Sequence, residues 1–217
     1  MLQKIQIRLK FLSLQITSSI IVLMVSSASF AQQKYTISNR ILSEGTNDGS
    51  IHLNGKEGVG IAWINNLELT NGSIDVDIKG KDTFQLSFVG MAFHGKDDST
   101  YESIYFRPFN FHSADPVRRT HAVQYISYPG YDWPVLRSQF PNKYEQAVST
   151  VPDPNNWFHA RIEINDKEIM VFVNGSEKPS LVVESLQTTK GEKIGYWVGN
   201  NSFGDWKNLR IVTAGNK

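Results

Sequence analysis

Residues 157–175 read WFHARIEINDKEIMVFVNG, and apolar and polar side chains alternate twice in this stretch. The first run, 157–164, is separated from the second run, 168–173, by the polar turn Asn165-Asp166-Lys167. A period of two places successive side chains on opposite faces of a strand. Asn174-Gly175 then follows the second run as a tight turn. We therefore predict two half-buried strands here.

The same pattern recurs outside this stretch. Residues 73–78 alternate strictly after the turn Asn71-Gly72. Further short runs predict strands at 84–93, 102–107, 121–127, 194–198 and 206–213. No segment has helical periodicity over more than two turns. Short alternating runs separated by Gly, Asn, Asp and Pro clusters predict an all-β sandwich or barrel.

One segment breaks the pattern. Residues 128–144 contain three prolines and a glycine, so we predict neither regular strand nor helix there. The segment is also rich in aromatic residues, which argues against a disordered linker. We predict a long ordered loop that packs over one face of the sandwich.

The amino terminus has a composition of its own. Three basic residues within 1–10 precede an apolar stretch at 11–25, and residues 26–31 read SSASFA. This order is typical of a signal peptide, so we predict cleavage after Ala31 and a single mature domain at 32–217. A retained membrane anchor is the alternative, but polar residues interrupt the apolar stretch. We expect export to the periplasm or the cell exterior.

Composition limits the partners. The 217 residues include no Cys, which excludes disulfides and a lipid-anchored cysteine. There are 22 Lys and Arg against 21 Asp and Glu, and loss of the signal peptide leaves 19 against 21. A near-neutral chain without basic runs disfavours binding to nucleic acid or to an anionic membrane. The sequence does not constrain the oligomeric state.

Four motifs occur in a familiar order: LTNGSI at 69–74, WFHARI at 157–162, VFVNG at 171–175 and FGDWKNL at 203–209. In this order they resemble the concanavalin A-like lectin/glucanase superfamily, which includes laminin G-like domains. The resemblance covers 67–213. It implies two antiparallel sheets in a jelly-roll sandwich with one concave face, in agreement with the strand pattern.

The resemblance leaves the activity open. The superfamily includes lectins, laminin G modules, glycoside hydrolases and polysaccharide lyases, and a domain of this type occurs in 3-keto-disaccharide hydrolases. The fold alone does not choose among these activities. The E-x-D-x-E motif of the glucanase branch has no counterpart here: Glu68 and Asp75-Val76-Asp77 come nearest and lack a third carboxylate. Retaining glycosidase chemistry by that route is disfavoured.

The densest polar and aromatic region is 101–144. In a strand, Tyr105 and Arg107 share one face and Glu102 lies on the other. Aromatic rings stack on sugars, and guanidinium groups bind carboxylates or vicinal hydroxyls. We predict a saccharide groove on the concave face, with the ligand-binding residues Tyr105, Gln124, Trp133, Glu102 and Arg119. The predicted residues for a catalytic alternative are Arg107, His121 and Tyr125, with the last two as base and acid.

A structural interpretation of the same region stays open. In it, Arg107 and Arg118 form salt bridges with Glu102, Asp115 or Glu145 and pin the long loop. The functional hypotheses are therefore three: an exported carbohydrate-binding domain, a saccharide-directed hydrolase or lyase, and a structural or protein-interaction sandwich.

No metal site is predicted, because the five histidines lack metal-ligand spacing and there is no Cys. The superfamily resemblance leaves calcium open, since related sandwiches sometimes hold it. Oxygen ligands are available at Asp97, Asp98, Asn200, Asn201 and Asp205, although such residues are also ordinary in turns. We predict no required cofactor.

Overall fold

The computed structural model describes residues 34–45, 47–188 and 190–214. The predicted signal peptide and its cleavage bond lie outside these ranges. Within them the chain forms fourteen strands: β1 (Tyr35–Ser38), β2 (Leu42–Glu44), β3 (Ile51–Leu53), β4 (Gly60–Glu68), β5 (Gly72–Lys79), β6 (Val89–Asp97), β7 (Thr100–Phe106), β8 (Val123–Tyr128), β9 (Glu145–Gln146), β10 (Phe158–Ile164), β11 (Glu168–Val173), β12 (Leu181–Glu184), β13 (Lys193–Val198) and β14 (Gly204–Thr213).

Helical structure is short. A 3-10 turn spans Pro108–Asn110, α1 spans Pro116–Arg119 and α2 spans Trp133–Gln139. No helix in the described ranges is long and apolar enough to cross a membrane.

The strands form two antiparallel sheets. The first sheet has the order β1-β4-β13-β6-β7-β8-β9, and the second has the order β12-β11-β10-β5-β14-β3-β2. The predicted all-β antiparallel architecture is thus confirmed as two seven-stranded sheets in the described part of the chain.

The two strands predicted at 157–175 are β10 and β11. They pair from Ala160 opposite Val173 to Ile164 opposite Ile169. Along β10 the residues with even numbers are buried, whereas Arg161 is exposed. The sequence alternation therefore corresponds to one face in the core and one face outside it.

The core between the sheets is rich in aromatic rings. Phe106 of the first sheet packs edge-on against Phe158 of the second, with ring centroids 4.9 Å apart. The ring centroid of Tyr196 lies 5.1 Å from that of the fully buried Trp206. The indole N–H of Trp206 donates to the carbonyl oxygen of Gly90 at 3.1 Å, so this buried polar group is satisfied.

These contacts also define the outer face of the first sheet. Because Phe106 and Tyr196 point into the core, their chain neighbours Tyr105 and Trp197 project outward. Gly90 of β6 lies between these two residues in the sheet, opposite each of them. The rings of Tyr105 and Trp197 stack with centroids 4.7 Å apart.

Residues 128–144 differ from the prediction, because they include α2. The Asp132 side chain caps this helix by accepting a hydrogen bond from Val135 N at 3.2 Å. Pro134 stands in the first turn, where its missing N–H leaves no intrahelical bond unmade. The segment packs against the sandwich as predicted, since Leu136 is buried in the core cluster.

We predict that Gly90→Ala strongly destabilises the fold. A Cβ at Gly90 would lie 2.0 Å from the carbonyl oxygen of Ile104, so β6 and β7 would have to separate. The free energy of unfolding should fall by about 1–3 kcal/mol or more, as urea denaturation would measure.

Gly55→Ala is the matched control. Its Cβ would lie 3.5 Å from Asn201 O, an ordinary contact. Equal stability of the two variants would contradict the close approach of β6 and β7.

Candidate functional site

Three adjacent strands place polar side chains in one row on the outer face of the first sheet. Tyr105 of β7 lies opposite Gln124 of β8, and Gln124 lies opposite Glu145 of β9. All three residues are buried. The row therefore brings a phenol, an amide and a carboxylate together where β7 ends.

Arg107, just beyond β7, connects this row. Its Nη2 donates to the Tyr105 hydroxyl at 2.8 Å and to Gln124 Oε1 at 3.1 Å. Its Nη1 donates to the carbonyl oxygen of His121 at 2.9 Å. Burial raises the pKa of Tyr105 to about 12, so the phenol keeps its proton at neutral pH.

Glu145 is the carboxylate at the end of the row. Arg137 of α2 forms a bidentate pair with it, with Nε to Oε1 and Nη2 to Oε2 both at 2.6 Å. Arg107 Nη1 lies 3.6 Å from Oε2. The carboxylate is almost fully buried, and a pair of this geometry is a strong charge-assisted contact. It fixes α2 to the outer face of the sheet.

His121 stands beside the same carboxylate. Its Nδ1 lies 3.0 Å from Glu145 Oε1, but the two atoms do not have hydrogen-bonding geometry. Partial burial lowers the pKa of His121, and the attraction of Glu145 offsets this only in part. The imidazole is therefore neutral at pH 7.

A cleft of about 450 Å³ opens over this cluster, a volume typical of small-ligand sites. Its lining consists of Phe84, Gln85, Phe88, Arg107, Phe109, Asn110, Arg118, His121, Trp133, Arg137 and Asn200. A recess of about 200 Å³ adjoins it and is lined by the stacked pair Tyr105 and Trp197. Phe88, Trp133 and Asn200 line both spaces, so the two form one surface.

Two exposed aromatic residues flank the cleft. Trp133, at the start of α2, is 46% exposed, and the guanidinium of Arg137 lies 4.8 Å from its ring centroid. Phe84 is 56% exposed, and the guanidinium of Arg118 lies 4.2 Å from its ring centroid. Each wall thus combines a large apolar surface with a positive charge.

Another edge of the cleft is held in place by hydrogen bonds to backbone groups. Buried Arg40 donates from Nη2 to the carbonyl oxygens of Gly58 at 2.6 Å and Gly199 at 2.8 Å. Asn200 Oδ1 accepts a hydrogen bond from Gly58 N at 2.8 Å. These bonds fix Asn200 at the edge of the cleft.

The structure brings five predicted site residues together. Arg107, His121 and Trp133 line the cleft, Tyr105 lines the recess, and Gln124 lies beneath Arg107. Arg107 also approaches Glu145, as the structural interpretation of this region expected. The same residues therefore anchor the segment 128–144 and form the cleft.

Tyr125 and Glu102 are not at the cleft. Tyr125 lies opposite Ile104 in the sheet, so it points into the core, as Glu102 does. The Tyr125 hydroxyl donates to Glu102 Oε1 and accepts from Leu186 N at 2.8 Å. This corrects the expected pairing of Tyr125 with His121: the sheet separates them, because the register of β7 and β8 puts Gln124 on the outer face.

Glu102 is the centre of this inner network. His94 Nδ1 and the Ser185 hydroxyl also bind its carboxylate, the latter at 2.7 Å. Burial acts to raise the pKa of Glu102, but the hydrogen bonds from His94, Tyr125 and Ser185 together outweigh burial and lower it. The structure therefore places Glu102 in the core and not at the cleft, on the face opposite Tyr105 that alternation predicts.

Arg119 also lies apart from the cleft. It is exposed, and its Nη1 donates to the carbonyl oxygens of Ser113 at 2.6 Å and Ala114 at 3.3 Å. Its neighbour Arg118 lines the cleft instead. Sequence reasoning did not assign saccharide binding to Arg118, Arg137 or Phe84, and it considered Asn200 only as a calcium ligand. Arg137 follows Trp133 by four residues, a helical spacing that becomes visible once α2 is assigned.

Metal ligands do not cluster in the described ranges, where no group of three or more His, Asp or Glu could hold an ion. Of the residues considered for calcium, Asp98 accepts from Trp63 Nε1 at 2.7 Å and Asp205 contacts His52 Nδ1 at 2.8 Å. Calcium binding stays an open alternative, and the absence of a required cofactor stays a prediction.

No known family and no curated protein matches the sequence. Several solved structures are similar to it in fold. The carbohydrate-binding module CBM66 from Bacillus subtilis has a TM-score of 0.57 at 12% identity, covering 82% of this chain and 93% of that one. A Bacillus subtilis protein of unknown function with a galectin-like fold has a TM-score of 0.53 at 13% identity, covering 82% and 88%.

The exoplasmic/lumenal domain of VIP36, in its form bound to Ca²⁺ and Man3GlcNAc, has a TM-score of 0.53 at 9% identity, covering 84% of this chain and 87% of that one. At such identities the likeness concerns the fold. The fold that the sequence resemblance implied is confirmed: the chain is a two-sheet antiparallel sandwich similar to the carbohydrate-binding module and the galectin-like protein.

We predict that Tyr125→Phe destabilises the protein without altering the cleft. Loss of the hydroxyl leaves Glu102 and Leu186 N each short of a buried partner, at a cost of about 1–3 kcal/mol in the free energy of unfolding. Because the folded-state pKa of Glu102 is depressed, its stabilisation holds above the ordinary pKa of glutamate and is lost as the pH falls through the folded-state value.

Urea unfolding from neutral pH to about pH 3 measures both effects. The stability difference from the native protein should shrink in acid. A difference that is constant over this range would contradict the role of ionised Glu102.

Proposed function

We propose that the protein is an exported carbohydrate-binding domain and that its saccharide site is the cleft on the outer face of the first sheet. The similarity in fold to a carbohydrate-binding module and to the VIP36 domain solved with Man3GlcNAc supports this proposal. The fold is also used for other purposes, so the argument rests on the site itself.

The observation that carries the proposal is the pair of exposed aromatic walls above hydrogen-bonding side chains. Trp133 and Phe84 expose about half of their surface beside the cleft. Arg107, Asn110 and Asn200 line it with amide and guanidinium groups. A sugar has apolar C–H faces and a rim of hydroxyl groups, so it requires both kinds of surface at once. Ligand sites combine apolar lining with a few placed polar groups in the same way.

Binding is favoured over catalysis by the same geometry. Glycoside hydrolysis usually needs two carboxylates on either side of the scissile bond. Among the described residues that line the cleft there is no carboxylate, and Glu145 behind it is committed to Arg137 and approached by Arg107. The acid expected to assist His121 was Tyr125, which is in the core.

We expect Trp133→Ala to abolish most of the saccharide affinity. The purified protein would be screened against an oligosaccharide array, and the best ligand would be titrated by calorimetry while turnover is followed by product analysis. Loss of the stacking wall should weaken binding by about tenfold or more.

Trp157→Ala is the matched control, because Trp157 lies next to β10 of the second sheet, under Lys79 and Lys207. Equal loss in both variants, or cleavage of the ligand by the native protein, would contradict the proposal. So would an array on which no saccharide binds.

Export gives a separate prediction. Mass spectrometry of the protein from its native cells should find it outside the cytoplasm with Gln32 as the first residue or within a few residues of it. Cytoplasmic protein that retains residues 1–31 would contradict export.

A further inference from the structure

The charges around the cleft are unbalanced. Three guanidinium groups line it, those of Arg107, Arg118 and Arg137, and His121 is neutral. Glu145, behind the lining, faces two of them, Arg107 and Arg137. The whole chain has a formal charge of only +1, so this excess is local. Such a cleft attracts an anionic group.

The three arginines differ in how strongly their guanidinium groups are already hydrogen-bonded within the protein. Arg107 is buried and bonded to Tyr105, Gln124 and His121. Arg137 gives Nε and Nη2 to Glu145. Among the described residues, the Arg118 side chain makes only longer hydrogen bonds, from Nε to Asn110 Oδ1 at 3.3 Å and from Nη2 to Phe109 O at 3.5 Å.

Arg118 also has no acidic partner in the described part of the chain. It is held against Phe84, and both line the cleft. An uncompensated guanidinium beside an exposed ring is suited to a ligand that carries a carboxylate next to an apolar face. The planar guanidinium binds a carboxylate through two parallel hydrogen bonds.

We propose that the saccharide bound in the cleft is acidic, with a uronate residue whose carboxylate is received by Arg118. This inference rests on the proposed function. It adds the chemical class of the ligand and the residue that selects it. The uronate ring lies against Phe84, and Arg137 on the opposite wall increases the attraction of the negative charge.

The test compares uronate oligosaccharides with their methyl esters, which keep the sugar and remove the charge. At least one acidic oligosaccharide should bind about tenfold or more tightly than its ester at low salt, and added salt should weaken only the acidic ligand. Arg118→Gln should reduce the preference to about threefold or less, because it weakens binding of the acid more than binding of the ester.

Arg119→Gln is the control, since it removes the same charge from the next residue, which points away from the cleft. It should leave the preference unchanged. Arg118→Lys keeps the charge but loses the planar guanidinium that makes two parallel hydrogen bonds. It should retain more of the preference than Arg118→Gln. Thermal unfolding of each variant verifies that it is folded.

The outcomes separate the two proposals. Equal, Trp133-dependent binding of acid and ester would overturn the uronate assignment and keep the carbohydrate-binding function. Binding of sulfated but not uronate sugars would also overturn it. Absence of any saccharide binding would overturn both. If Arg118→Gln and Arg119→Gln change the preference for the acid equally, Arg118 does not bind the carboxylate.

Discussion

The buried carboxylate of Glu145 is the constraint on which the cleft depends. It accepts two hydrogen bonds from Arg137 and lies close to Arg107 and His121. A buried carboxylate is costly unless it is paired. The pairing therefore holds α2 on the sheet, and with it Trp133.

The strand β7 serves two purposes because its faces are different. Its outer face carries Tyr105 toward the recess, and its inner face carries Glu102 into a closed network with Tyr125. The network stabilises the sandwich and has no exposed member among Glu102, Tyr125 and His94. Two clusters that each contain a histidine, a glutamate and a tyrosine thus lie on opposite sides of one sheet, and only the outer one borders a cleft.

Local alternation predicted much of this arrangement, including the strands β10 and β11 and the common face of Tyr105 and Arg107. Alternation places Tyr125 and Gln124 on opposite faces but does not say which of them faces the core, so the inward direction of Tyr125 was not foreseen. The helix α2 was missed because its proline was taken as a breaker, and Arg137 was missed with it. Arg118 and Arg119 diverge because they are consecutive residues of a helical turn, which composition does not show.

The central claim is that saccharide binds beside Trp133, and its indole N–H resonance tests this most directly. The indoles of Trp63, Trp197 and Trp206 donate to protein acceptors, whereas Trp133 is exposed at the cleft. Titration with a bound oligosaccharide should shift the Trp133 signal, assigned through Trp133→Phe, and leave the Trp157 signal in place. A shift of Trp157 with an unchanged Trp133 would place the ligand on the second sheet and contradict the account.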